Sequence, residues 1–181
     1  MTNKKSHEST NKIEKTSTPN KETELEQTKA KEADQAKIKE ALRAQELLHL
    51  NLGYIAGLFS NSKYHVKASI GHFMSSAVPA LKHNQFKIFF NGFKPVAYVS
   101  WAMLSDEVQE KYKTGKHLLA IDEWKSGDNV WLAEFIVPYS EKDREAVIKN
   151  LKEKILPKKT INIITRNPDG SLKSVIKDFE E

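Results

Sequence analysis

The sequence predicts an α/β domain, a mixed sheet flanked by helices. Apolar residues recur every three or four positions in some segments and every second position in others. These segments follow one another in the order α-α-β-β-α-β-α-β-β, which is typical of a sheet covered by helices. No internal repeat is visible along the chain.

Residues 1–36 form a charged segment without the apolar content of a folded domain. They hold seven lysines and seven acidic residues, and their large apolar residues are Met1, Ile13 and Leu25. Such a segment cannot bury enough apolar surface to offset the entropy of ordering it. We therefore predict a disordered extension over 1–36, with nascent helix where it joins the next element, and a folded domain over 37–181. The net charge of +5 then lies in the folded domain, which favours an acidic partner.

The first predicted helix starts near Ala36, and its apolar stripe has three- and four-residue spacing: Leu48, Leu52, Ile55 and Phe59. Gly53 and Gly57 lie in this helix, where each costs about 1 kcal/mol relative to alanine. Their spacing predicts that another element packs closely there. The polar segment 60–63 ends the helix. A second helix is expected from about 66 to 78, stopping near Pro79.

A change to two-residue periodicity predicts a β-hairpin. Apolar residues alternate along 86–90, Asn91-Gly92 supplies turn residues, and 95–101 is rich in residues that favour strands. A polar helix follows over 105–114, with Ser105 as its N-cap. The remaining predicted elements are a strand over 130–137, a helix with a capping box at Ser140 and Asp143, and strands over 161–165 and 172–176 joined by a turn at 167–170.

Glu134 is the one charged residue within the apolar strand 130–137. By alternation, Glu134 shares a face with Leu132 and Ile136, while 131, 133, 135 and 137 share the other. Both faces are otherwise apolar, which is typical of a central strand. A buried carboxylate is costly unless it is paired, so Glu134 requires a cationic or hydrogen-bonding partner. An equally weighted alternative is a glutamate that reaches solvent or holds a structural ion pair.

His65 follows the polar break after the first helix. A histidine in such a junction suits a general base or nucleophile, because its charge changes near neutral pH and loops place side chains at clefts. A surface or capping histidine is the alternative. The residue chemistry alone does not separate His65 from His72 or His83.

Composition excludes several other functions. The chain has no cysteine, so it forms no disulfide, thiolate metal site or cysteine nucleophile, and this fits a cytoplasmic protein. No apolar run approaches the length of a membrane span, and the first ten residues lack the core of a secretory signal. No metal-ligand spacing and no phosphate-binding loop is found. With three arginines and no recognition motif, nucleic acid is not an expected partner.

Several short motifs in a fixed order resemble the RTX toxin-activating lysine acyltransferases between about residues 50 and 140. These motifs are Leu52-Gly53-Tyr54-Ile55, residues 60–65, Val78-Pro79-Ala80-Leu81, Asn84-Gln85-Phe86, residues 95–102, Leu104-Ser105, residues 123–128, Trp131 and Pro138. Residues 1–36 lie outside the resemblance, and beyond 140 the similarity is general.

The resemblance implies a fold like that of the GCN5-related N-acetyltransferases, often dimeric. It implies transfer of a fatty acyl group from acyl carrier protein to internal lysines of a protoxin. It places the catalytic histidine of the family on His65 and the serine of its S-x-x-H motif on Ser62. The catalytic aspartate of the family corresponds to Glu134, which is longer by one methylene. Ser62 and Trp101 are the expected substrate-binding residues.

The same resemblance bears on the donor. The chain lacks the Q/R-x-x-G-x-G/A loop that binds the coenzyme A pyrophosphate in ordinary acetyltransferases. We therefore expect no bound cofactor and a carrier protein as donor. Two other functions stay open at this point: a related acyltransferase that matures a different acceptor, such as a small secreted peptide, and a non-enzymatic interaction protein on the same fold.

Overall fold

The computed structural model describes residues 21–167 and 171–177. The elements within these residues are α1 (Lys21–Asn61), α2 (Ile70–His83), β1 (Phe86–Asn91), β2 (Lys94–Leu104), α3 (Asp106–Lys113), β3 (Asn129–Ile136), α4 (Glu141–Asn150), β4 (Ile161–Arg166) and β5 (Leu172–Ile176). A 3-10 turn at Asp122–Trp124 precedes β3, and a π-helical turn at Leu151–Ile155 follows α4. The predicted order of helices and strands is confirmed.

The five strands form one mixed sheet in the order β1-β2-β3-β4-β5. Three neighbouring pairs are antiparallel, and β3 pairs with β4 in parallel. Antiparallel neighbours need only short turns, whereas the parallel pair needs a crossover, which α4 supplies. The predicted fold class, a mixed sheet flanked by helices, is confirmed.

Apolar side chains cover both faces of the sheet. Residues of β2, β3 and β4 pack with α4 on one face: Ala97, Val99, Trp101, Val130, Leu132, Val147, Ile148, Leu151 and Ile161. The other face packs with α1, α2 and α3 through Ile55, Leu58, Phe59, Ala77, Ala80, Tyr98, Ala102, Leu104, Val108, Trp131 and Ile136. Burial on both faces explains why β2 and β3 lack polar alternation.

The pairing of β2 with β3 contains a bulge. Ser100 pairs with Glu134, but the next residue, Trp101, pairs with Leu132. Ala133 is therefore an extra residue in β3 with no residue opposite. An extra residue of this kind interrupts the alternation of side chains along its strand.

The bulge changes the face on which Glu134 lies. Before it, Leu132 packs on the α4 face and Trp131 on the opposite face; after it, Phe135 packs on the α4 face and Ile136 against α1 and α2. Glu134 shares the face of Ile136, which is also that of Trp131. The prediction that strict alternation holds through this strand is wrong, and the bulge is the reason.

Helix α1 begins earlier than the sequence predicts. Residues 21–36 fall in the stretch predicted to be disordered, yet they are helical in the structure, while residues 1–20 lie outside the described residues. This segment is rich in lysine, glutamate, glutamine and alanine, which all have high helix propensity. Its described side chains are exposed. The chain divides into units between Ala44 and Gln45, and the predicted domain boundary after residue 36 stays a prediction.

Helix α2 begins later and ends later than predicted. Ser69 caps it, because its hydroxyl accepts a hydrogen bond from the backbone N–H of His72 at 3.1 Å. The helix continues through Pro79 to His83. A proline removes one backbone donor, and burial of Ala77 and Ala80 against the sheet holds the helix on both sides of it. None of the helices in the described residues has the length and apolar character of a membrane span.

Gly127, rather than Gly53 or Gly57, marks a close backbone approach. A Cβ atom at Gly53 or Gly57 would meet nothing within 4 Å among the described residues, so no described element of the chain supplies the close packing predicted there. A Cβ atom at Gly127 would lie 2.6 Å from the Leu104 carbonyl oxygen and from the backbone of Ser105. The loop before β3 therefore rests directly on the end of β2.

Replacing Gly127 by alanine is expected to destabilise the fold. The new methyl group would displace backbone atoms, which typically costs about 1–3 kcal/mol. Denaturant unfolding followed by circular dichroism measures this free energy. The matched control is Gly53→Ala, which is expected to raise the free energy of unfolding by up to about 1 kcal/mol through helix propensity. Equal stability of Gly127→Ala and the parent chain would contradict the close approach.

Candidate active site

His65 lies in the turn that connects α1 with α2. This turn begins where the Ser62 N–H donates to the Phe59 carbonyl at 3.1 Å, and the His65 N–H donates to the Ser62 carbonyl at 3.1 Å. The imidazole packs edge-to-face on the Phe59 ring, with 4.8 Å between the ring centroids. Phe59 is buried against the sheet, so the turn and its imidazole are anchored to the core.

The structure brings His65 and Glu134 together across 69 positions of sequence. His65 Nε2 lies 3.1 Å from Glu134 Oε2, and the side chains of His65 and Glu134 are 19% and 8% exposed. The partner that a buried carboxylate requires is therefore an imidazole. The alternative of a solvent-exposed glutamate is wrong.

Ser62 extends this contact into a series of three groups. Its hydroxyl lies 2.7 Å from Nδ1 of His65. An ionised carboxylate only accepts hydrogen bonds, so beside an ionised Glu134 the imidazole donates its Nε2–H to Oε2. In the neutral ring Nδ1 then holds the lone pair and accepts from the Ser62 hydroxyl. Both ring nitrogens are engaged, and the series Ser62–His65–Glu134 has the contacts of a hydroxyl–base–carboxylate triad.

His72 is a second imidazole beside Glu134. Its Nε2 lies 3.7 Å from Oε1, the carboxylate oxygen that does not contact His65. Its side chain is 51% exposed, in contrast to that of His65. His83 lies elsewhere, with Nε2 2.8 Å from the Ile121 carbonyl. Of the three histidines that the residue chemistry left equal, two therefore meet at Glu134.

Buried hydroxyl groups line the sheet beside Glu134. Ser100 pairs with Glu134 across the two strands, and Tyr98 lies on the same face. Within the described part of the chain neither hydroxyl has a hydrogen-bond partner of good geometry. Burial raises the pKa of Tyr98 well above its usual value; the nearby Ser100 hydroxyl lowers this pKa in part, and the charge of Glu134 raises it again.

Tyr112 of α3 is also neutral at physiological pH. Burial raises the pKa of Tyr112 to about 12, the Glu134 charge adds to the increase, and Arg166 opposes it. Its ring packs edge-to-face on Trp131, with centroids 5.5 Å apart. Tyr98 and Tyr112 are therefore poor proton acceptors near neutral pH.

Trp101 is not part of this arrangement. It packs with α4 on the opposite face of the sheet. The structure therefore brings together Ser62, His65 and Glu134 of the predicted site residues, and it leaves Trp101 on the far side. The substrate-binding roles predicted for Ser62 and Trp101 stay predictions, and the position of Trp101 gives its role no support.

Two cavities of about 460 and 360 Å³ lie away from these residues. The first is lined by residues of α3, β3, β4, β5 and the loop at 158–160, and the second by the β1–β2 hairpin and α4. Neither is lined by His65, His72 or Glu134. The chemistry of the site, rather than the size of a cavity, identifies it.

A buried carboxylate, an imidazole and a hydroxyl in series on a helix-flanked mixed sheet form an arrangement that can transfer protons. The family match specifies the class further. A profile of the RTX toxin acyltransferase family matches residues 44–180. The chain therefore belongs to the RTX toxin acyltransferase family, as the resemblance predicted.

Individual relatives agree with this assignment. The chain is 32% identical over 103 residues to an RTX-II toxin-activating lysine-acyltransferase of Actinobacillus pleuropneumoniae, covering 57% of this chain and 63% of the relative. It is 33% identical over 90 residues to a protein-lysine myristoyltransferase of Kingella kingae, and the match covers 50% of this chain and 54% of the relative. An RTX-III toxin-activating lysine-acyltransferase of A. pleuropneumoniae is 30% identical to the chain over 125 residues, and the match covers 69% of this chain and 70% of the relative. The first two matches thus span less than two thirds of those relatives.

Spectrophotometric titration of tyrosinate tests the environment of Tyr112. We expect Tyr112→Phe to remove an ionisation step near pH 12, because burial is the main cause of the raised pKa. Above the usual pKa of about 10, only the unfolded chain releases this proton. The free energy of unfolding therefore falls more steeply between about pH 10 and 12 for the parent chain than for Tyr112→Phe. Loss of a step near pH 10 would contradict this placement.

Proposed function

We propose that this chain is a protein acyltransferase that moves a fatty acyl group from acyl carrier protein to internal lysines of a protoxin. The observation that carries the proposal is the contact of 3.1 Å between His65 and Glu134 in a chain of this family. The names of the relatives, toxin-activating lysine-acyltransferase and protein-lysine myristoyltransferase, support the acceptor and the acyl class. The proposal includes a cytoplasmic location, an acyl carrier protein donor and no bound cofactor.

The reaction places a demand on the acceptor that this site meets. A lysine side chain is protonated at neutral pH and attacks a thioester only as a free amine. Forming the amide breaks the thioester C–S bond and removes two protons from the ammonium group. One of these protons ends on the leaving thiol and the other in solvent. A group that accepts and returns protons near neutral pH is therefore required, and His65 supplies it.

Glu134 and Ser62 determine how His65 acts. The Glu134 carboxylate holds the proton on Nε2, and it stabilises the imidazolium that forms when Nδ1 accepts a proton. Nδ1 is covered by the Ser62 hydroxyl. A proton from the acceptor amine thus reaches Nδ1 through the Ser62 hydroxyl, which donates its own proton to the ring as it receives another. Alternatively, Ser62 turns away and the amine contacts Nδ1 directly.

Replacing His65 by alanine is expected to abolish acylation. Loss of a general base typically lowers the rate by about 10²- to 10⁴-fold. Intact-mass spectrometry of candidate protoxin acceptors co-expressed with the chain reports both the modified site and the added mass. Removal of the imidazole leaves Glu134 buried with one partner fewer, so His65→Gln is the second variant, because its amide still donates to the carboxylate. Acylation at the parental rate by folded His65→Ala would refute the assignment.

Replacing Glu134 by glutamine is expected to lower acylation at least about tenfold, because a neutral amide does not stabilise an imidazolium. Glu134→Asp keeps the charge and is expected to stay within about tenfold of the parent chain. Initial rates with purified acyl carrier protein and acceptor measure both effects, and thermal unfolding checks the fold. If the glutamine variant were as active as the parent chain, Glu134 would be a structural residue only.

A further inference from the structure

Glu134 presents two carboxylate oxygens, and an imidazole faces each of them. Oε2 lies 3.1 Å from Nε2 of His65, and Oε1 lies 3.7 Å from Nε2 of His72. The second distance is beyond a normal hydrogen bond and within the range of an ion pair, which forms when His72 is protonated. Because Glu134 is buried and His72 is half exposed, the carboxylate connects an interior imidazole with one that reaches solvent.

The position of His72 in α2 does not account for its side-chain direction. His72 is the third residue of this helix. In a capping box this position holds a glutamate or glutamine whose side chain accepts a hydrogen bond from the backbone N–H of the N-cap residue. The imidazole of His72 instead faces the carboxylate of Glu134.

The backbone of His72 is held firmly enough to position its ring. Its N–H donates to the Ser69 hydroxyl at 3.1 Å, and its carbonyl accepts from the Ser75 hydroxyl at 2.9 Å. Both contacts are local to α2. The imidazole is therefore presented to Glu134 from a fixed helix end rather than from a loop.

Ser100 of β2 pairs with Glu134, and Tyr98 lies on the same face of the sheet. Burial keeps the Tyr98 hydroxyl neutral at pH 7. His65 comes from the α1–α2 turn. Within the described residues, the ion pairs of this carboxylate are those with the two imidazoles.

We propose that His72 is a positioning residue of this site. A glutamate side chain has one more rotatable bond than an aspartate, so a single contact leaves the carboxylate free to turn. His72 holds Oε1, which keeps Oε2 directed at Nε2 of His65 and keeps the proton of that ring on Nε2. His72 itself touches neither the acyl donor nor the acceptor. The kinetic consequence of this role rests on the proposed function; its structural consequence does not.

The kinetic test compares His72→Leu with His72→Gln in the full chain. His72→Leu removes the contact and is expected to lower kcat for acylation about tenfold with an unchanged KM for the acceptor. His72→Gln keeps an N–H within reach of Oε1 and is expected to retain most of the parental kcat. The matched control is His49→Leu, an exposed histidine of α1. Equal kcat values for His72→Leu and His49→Leu would overturn the proposal.

A double-mutant cycle tests whether His72 acts through Glu134. Aspartate at 134 is too short to reach both imidazoles, so in a Glu134→Asp chain the His72→Leu change is expected to have no further effect on kcat. Additive losses in the double variant would show that His72 acts elsewhere. Thermal unfolding of each variant separates such a loss from unfolding.

The structural test needs no acylation assay. In ¹⁵N–¹H spectra of the full chain, His65 is expected in the tautomer protonated on Nε2. In His72→Leu a measurable share of the other tautomer is expected. An unchanged tautomer in folded His72→Leu would refute the positioning role. If the parent chain acylates no protoxin, the proposed function fails, and this spectrum still decides the role of His72.

Discussion

The carboxylate of Glu134, inside a helix-flanked sheet, is the constraint on which the site depends. An ionised carboxylate that loses its water must regain hydrogen bonds or opposite charge, and removing one partner of such a buried pair typically costs about 3–5 kcal/mol. The partner here comes from the α1–α2 turn, 69 positions away in sequence. Burial of Ile55, Leu58 and Phe59 against the sheet holds that turn in place. The apolar core and the polar site are thus parts of one arrangement: the first positions the imidazole, and the second makes the buried charge tolerable.

The bulge at Ala133 is the second requirement. If Ala133 occupied a regular place in the ladder instead of forming the bulge, strict alternation would place Glu134 on the face that packs with α4, where Leu132 and Trp101 lie. The carboxylate would then face an apolar cluster, and His65 would lie on the other side of the sheet. The bulge at Ala133 shifts the alternation by one residue, so every later residue of the strand lies on the face opposite to the one that strict alternation predicts. Bulges are frequent next to active sites for this reason, since they redirect a side chain without breaking the sheet.

The sequence was sufficient for the order of the elements, but not for the way in which they meet. Periodicity and capping residues such as Ser105 and Ser140 are local signals, and the structure agrees with them. The bulge depends on the register between β2 and β3, which no local pattern of β3 contains. Residue chemistry also did not separate His72 from His83. Only the folded structure distinguishes them, because it places His72 beside a carboxylate and His83 beside the Ile121 carbonyl. The start of α1 was missed because charge alternation suits both a solvated helix and a disordered chain.

The series Ser62–His65–Glu134 also has a direction. The carboxylate lies on the sheet side of the imidazole and fixes the proton on Nε2, so the basic lone pair is on Nδ1 and points to Ser62. A substrate amine that approached from the sheet would meet a nitrogen that already donates. In the proposed reaction the amine therefore approaches from the turn at 62–65, where it can reach both Ser62 and His65. An aspartate at 134 would preserve this direction with a shorter arm, because the direction depends on which ring nitrogen meets the carboxylate. The extra methylene of the glutamate extends the whole carboxylate and adds a rotatable bond, and in this chain the second oxygen faces His72.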